Sequence, residues 1–176
     1  MSPGFRFTVA GRPAPQGSKD VIPLKTAGEF NGRFSLVEKS KYLKAWREAV
    51  EAAARVASFG QPALDGPLWA SMVFTLARPA AHFRTGVHAD RLRDDAPEWP
   101  EDVPDLSKLV RATEDALVTA GAIRDDARIV RFADVAKTYP GGPHRWALAR
   151  PGAVIEVGCV VRPGQLALPV TGAADV

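Results

Sequence analysis

The chain has 176 residues, 46% of them apolar and 24% charged, with 15 Gly and 15 Pro; this fits one globular domain with long loops and excludes a disordered or fibrous chain. Its net charge of +3 is too small to argue for a nucleic-acid partner by itself. One cysteine, Cys159, excludes an internal disulfide and a cysteine-rich zinc site, and no apolar run reaches the length of a membrane span or resembles a secretory leader, so a reduced, soluble, intracellular protein is expected.

Phe5–Val9 alternates with period two and predicts a first strand. Residues 11–19 are rich in turn formers and predict an irregular segment. A loosely basic stretch follows, with Lys19, Lys25, Arg33, Lys39, Lys41 and Lys44, and runs into a helix. Ser40 is its expected N-cap. Leu43, Trp46, Val50, Ala53 and Ala57 recur at helical spacing, and Gly60-Gln-Pro62 ends the run.

Leu68–Ala77 predicts a long strand between Gly66-Pro67 and Arg78-Pro79. Residues 80–104 show no period, which marks a functional loop or a disordered one. The second helix is expected over Leu106–Ala120, with Leu106, Leu109, Val110, Thr113, Ala116, Leu117 and Ala120 on one arc. Asp105, Lys108, Arg111 and Asp115 occupy the opposite arc. Gly121 stops the helix, and strands are expected over Arg128–Lys137 and Ala153–Val161, paired as a hairpin. Cys159, in the last of these runs, reads as a small buried hydrophobe. The order β-α-β-α-β-β predicts a single α/β domain over residues 1–163, a small mixed sheet covered by two helices, with 164–176 as a disordered tail.

The charge is unevenly spread. Residues 90–126 hold eleven acids against five bases, which leaves +9 on the rest of the chain. A basic body with one acidic segment suits a protein that grips a polyanion and holds a cation among carboxylates. It equally suits a soluble protein with an uneven surface. Sixteen of the 23 bases are arginine, whose fork matches phosphate, although base composition of the genome could give the same bias.

The candidate chemistry lies in Asp105 and in the pair Asp125-Asp126. Hard divalent cations such as Mg²⁺ take carboxylate oxygens together with waters and phosphate. A short helix-to-strand connection could return Asp126 toward Asp105. The structural alternatives are an N-cap for Asp105, a turn for Asp125-Asp126, and a solvated ion-pair face for Lys108, Arg111 and Asp115. His82, His88 and His144 lack zinc-site spacing; His82-Phe83-Arg84 could touch phosphate.

Pro104-Asp-Leu-Ser-Lys-Leu-Val-Arg-Ala-Thr-Glu-Asp-Ala-Leu117, then Gly121-Ala-Ile-Arg-Asp-Asp-Ala-Arg-Ile-Val130 and Lys137-Thr-Tyr139, resembles the core of the RusA-type Holliday junction resolvases. The likeness extends to residues 11–19, 42–50, 74–79 and 82–86, and so spans most of 5–161. It implies a homodimeric, Mg²⁺-dependent endonuclease of bacteria or phages, with Mn²⁺ as a substitute, that cuts four-way DNA junctions in recombination and repair. Asp105 and Asp126 fall on the family's metal-site aspartates, and Arg111 stands where many members carry a lysine. Asp115 matches the helix aspartate of the Asp-Ala-Leu triplet. Ser107 departs from the pattern, because many members have a second aspartate there.

On this resemblance Asp105, Asp126, Arg111 and Lys108 are expected to be catalytic, and Asp105 and Asp126 to hold the metal, with Asp102, Asp115 or Asp125 as further candidates. Lys19, Lys41, Lys44, Arg47, Arg84 and Lys137 are the expected DNA contacts. The competing readings are a junction-binding protein whose catalysis Ser107 has weakened, and an accessory protein with no nucleic-acid role. A cytoplasmic location, a homodimer and no membrane partner complete the expectation.

Overall fold

The computed structural model describes residues 4–17, 19–26, 28–38 and 41–160. The expected cap Ser40 and the tail 164–176 lie outside the described residues. Six strands and two helices follow in order: β1 (Gly4–Ala10), β2 (Lys19–Thr26), β3 (Glu29–Glu38), α1 (Leu43–Ala57), β4 (Leu68–Thr75), α2 (Leu106–Thr119), β5 (Ile129–Thr138) and β6 (Gly152–Cys159). The expected α/β class, with two helices over a small mixed sheet, is what the chain adopts.

The main sheet has the order β1-β6-β4-β5, with β4 and β5 parallel and the other pairs antiparallel. Phe5 and Val9 of β1, Ala70, Met72 and Phe74 of β4, and Ala153, Ile155 and Val157 of β6 form the core beneath the helices. α1 adds Leu43, Trp46, Val50 and Ala54, and α2 adds Leu109, Ala112, Ala116 and Leu117. Burying each large side chain contributes about 1.5–3 kcal/mol. The Thr113 hydroxyl, also buried, donates to the Leu109 carbonyl at 2.9 Å and so brings no unmet polar group into the core. β4 is buried along nearly its whole length, as its continuous apolar run requires of a central strand. Its far face is shielded by the segment after β5, where the Leu148 N–H donates to Thr75 Oγ1 at 3.0 Å.

Three features differ from the sequence expectation. β5 and β6 are not a hairpin, because β4 lies between them. α2 carries the chain back so that β5 runs parallel to β4, and the long connection 139–151 then spans β4 to reach β6. The stretch read as loosely basic contains a separate antiparallel hairpin, β2–β3. Phe30 and Phe34 stand exposed on it with their rings 5.0 Å apart. Cys159 is partly rather than fully buried. Among the described residues, no helix is long and apolar enough to cross a membrane.

Candidate active site

The stretch 80–104 is ordered by its own charges. Arg84 pairs with Asp94 at 2.7 Å, Arg93 takes both oxygens of Asp95 at 2.9 Å, and Arg78 donates to the Pro97 carbonyl at 2.8 Å. It delivers the chain through a cis Val103–Pro104 bond to Asp105. Asp105 occupies the N-cap position of α2, yet its side chain makes no capping bond. It pairs instead with Lys108, 2.6 Å away. That hydrogen bond and charge hold the Asp105 carboxyl below its ordinary range, with a smaller contribution from Lys137. Lys137 Nζ donates to the carbonyls of Asp102 (2.8 Å) and Pro104 (3.3 Å), tying the end of β5 to the approach to α2. Ser107 is exposed on the first turn of α2.

A second group of acids gathers along the C-terminal half of α2 and the segment that follows it. Gly121, at φ +70°, ends the helix. Ile123 then bridges Leu64, and Asp65 holds Arg124 (3.3 Å) and Arg128 (3.0 Å). Asp125 accepts the Ala127 N–H at 2.9 Å and caps the single 3₁₀ turn 126–128. Asp126 lies near Glu114. Burial first, then the charges of Asp126 and Asp115, push the half-buried Glu114 carboxyl up, and Arg111 opposes them. Asp115 itself pairs with Arg47 across the helices at 3.7 Å.

The two groups stand apart. Asp126 lies beside Glu114, nine residues along α2 from Asp105, which is about 14 Å at ~1.5 Å per residue. Along β5, Lys137 beside Asp105 is about 26 Å from Ile129, at ~3.3 Å per residue. A single chain therefore does not bring Asp126 to Asp105. The connection after α2 returns the chain only to the foot of β5, next to Glu114. Among the described residues no three metal-ligating side chains gather around one point. The donor set has the hard oxygens that Mg²⁺ prefers, but within one chain its spacing does not fit a shared ion.

Several expected DNA contacts have internal partners. Arg47 is tied to Asp115, Arg84 to Asp94, and Lys137 to two carbonyls. Lys44 is exposed, 3.9 Å from Glu48, and Lys41 lies 5.0 Å from the Tyr42 ring centre. Lys19 begins β2, and Asp102 lines a hollow beside Pro104. Sequence reasoning missed Glu114, which lies between the two arcs of the helical wheel. It also missed Arg12 and Arg78, each stacked on a tyrosine that is remote in sequence.

No curated protein matches the chain. The family model of endodeoxyribonuclease RusA matches residues 23–157, most of its length and both ends of α2. The chain therefore belongs to the RusA endodeoxyribonuclease family.

Proposed function

We propose that the protein resolves four-way DNA junctions by Mg²⁺-dependent phosphodiester hydrolysis. It works as a two-fold homodimer whose two sites each combine Asp105 of one copy with Asp126 of the partner subunit. The observation that carries this reading is the separation of the two aspartates, Asp126 just before the start of β5 and Asp105 beside Lys137 near its end. β5 is the edge strand of the main sheet, and it exposes Val130 and Phe132. Pairing two such edges antiparallel reverses one copy on the other. The Asp126 end of one chain then meets the end at which Lys137 holds the partner's approach to α2.

Across two copies the carboxylates of Asp105 and Asp126 suit a hard divalent cation, with Glu114 beside Asp126 as a further oxygen donor. Such a cation polarises the phosphate and lowers the pKa of water. Lys108, already 2.6 Å from Asp105, and Arg111, one turn further along α2, supply positive charge for the phosphate oxygens as negative charge builds up on them. Water adds at phosphorus and the bond to the 3′ oxygen breaks, leaving a 5′-phosphate and a 3′-hydroxyl. Two sites related by a two-fold axis match the symmetry of a four-way junction, whose resolution needs two cuts. The setting for such a substrate is the cytoplasm of a bacterium, including one that carries a phage.

The test is a gel comparing a four-way junction with linear duplex of equal length, each with and without Mg²⁺. Cutting of the junction alone, and only with the cation, is expected. Salt-sensitive junction binding without cutting would replace this reading with that of a binding protein.

A further inference from the structure

Beside the Asp105 end the surface forms a groove that the hydrolytic site does not use. It consists of two adjoining hollows, of about 330 and 220 Å³, which share Arg12, Pro13, Val103 and Pro104. The larger reaches Arg78 and Tyr139, and the smaller reaches Tyr42. Each of these tyrosine rings carries a guanidinium. Arg12 is 4.3 Å from the centre of Tyr42, and Arg78 is 4.1 Å from that of Tyr139. Such a contact orients a cation without cancelling its charge. Arg78 commits a single N–H to the Pro97 carbonyl, and Arg12 pairs with no carboxylate among the described residues.

Five of the 14 lining residues are proline, flat and without a backbone donor. The Asp102 carboxylate also lines the larger hollow. It repels a phosphate there and leaves that space to an uncharged base and sugar, so the anion belongs at Arg12, on the divide. A duplex is far too wide for either hollow, and the larger, at about 330 Å³, reaches the ~300 Å³ at which small-molecule pockets start.

We infer that this groove seats two successive unstacked nucleotides of one DNA strand, with the phosphate between them on Arg12 and one base in each hollow. This rests on the nuclease reading and adds to it a source of selectivity. Bases at a branch point cost less to unstack than bases inside a duplex, so a site that must receive unstacked nucleotides favours junctions without reading their sequence.

The test uses the full-length protein and four-way junctions carrying 2-aminopurine at single positions on either side of the cut phosphate, with chelator present to prevent cutting. A several-fold fluorescence rise is expected at one or two adjacent positions. Arg12→Ala removes the phosphate contact. Ala77→Trp fills the larger hollow from an exposed position without changing charge. Each variant should abolish the rise and slow Mg²⁺-dependent cutting about tenfold or more, with its melting temperature unchanged.

The inference is overturned if the wild type cuts junctions and no position brightens, or if both variants keep the rise and the rate. Failure of the wild type to cut would strike the nuclease reading instead. Brightening lost in Ala77→Trp would then still support the groove, and its absence would remove it.

Discussion

Replacing Phe132 by aspartate should convert the dimer to a monomer and abolish cleavage while the chain stays folded. In one chain Phe132 is 45% exposed and Val130 is 63% exposed, both on the outer strand of the sheet. With side-chain areas of roughly 150–200 Å², the two leave roughly 180 Å² uncovered per chain and about 360 Å² over two copies. At about 25 cal/mol per Å² this is a gross ~9 kcal/mol, the same order as the ~4–15 kcal/mol lost on association. The phenylalanines supply about half of it, so their removal should weaken dimerisation by roughly a thousandfold before any repulsion between the new charges. Sedimentation equilibrium at micromolar protein reads the change, and far-ultraviolet circular dichroism checks the fold. A Phe132→Asp protein that stays dimeric and cuts at the wild-type rate would refute pairing through β5.

Ser107→Asp places a carboxylate two residues after Asp105, and it should lower the Mg²⁺ concentration for half-maximal cutting; an unchanged requirement would put residue 107 outside the site. Lys108→Met removes the charge that holds the Asp105 carboxyl below its ordinary value of 3.8, so its titration midpoint in metal-free protein should move up, read by carboxyl NMR. The sign follows from linkage: a depressed carboxylate adds stability above its unfolded pKa and loses it as pH falls through the folded value, so the variant should lose stability above about pH 4 and approach the wild type below it. Leu109→Ala opens a fully buried site between α2 and the sheet and should cost about 2–5 kcal/mol in urea unfolding; a loss under 1 kcal/mol would mean that the core closes around it.

Periodicity located both helices within a residue or two, because Trp46 and Val50, or Leu109 and Leu117, must face one core. It located β4 equally well, since a strand covered on both faces is apolar throughout. The β2–β3 hairpin escaped because its large residues, Phe30 and Phe34, face solvent, and no core imposes a period on them. The sheet order escaped for another reason: the choice between a β5–β6 hairpin and a β4–β5 pair depends on where α2 lies, which is a tertiary matter. At the site, the proposed roles of Asp105 and Asp126 come from the family pattern alone. Their separation was not legible, because spacing along the chain does not say where the start of β5 lies relative to Asp105. The stacking of Arg12 on Tyr42 and of Arg78 on Tyr139 joins distant segments and left no local signal.

Mixing two inactive variants tests the shared site most directly. Asp105→Asn and Asp126→Asn chains, unfolded together and refolded, give mixed dimers as about half of the population. In each mixed dimer one site carries both substitutions and the other carries neither. Nicking of a four-way junction should therefore return to about a quarter of the wild-type level, although each variant alone is inactive. No recovery in a mixture shown to contain mixed dimers would place both aspartates of each site in one chain and contradict the account.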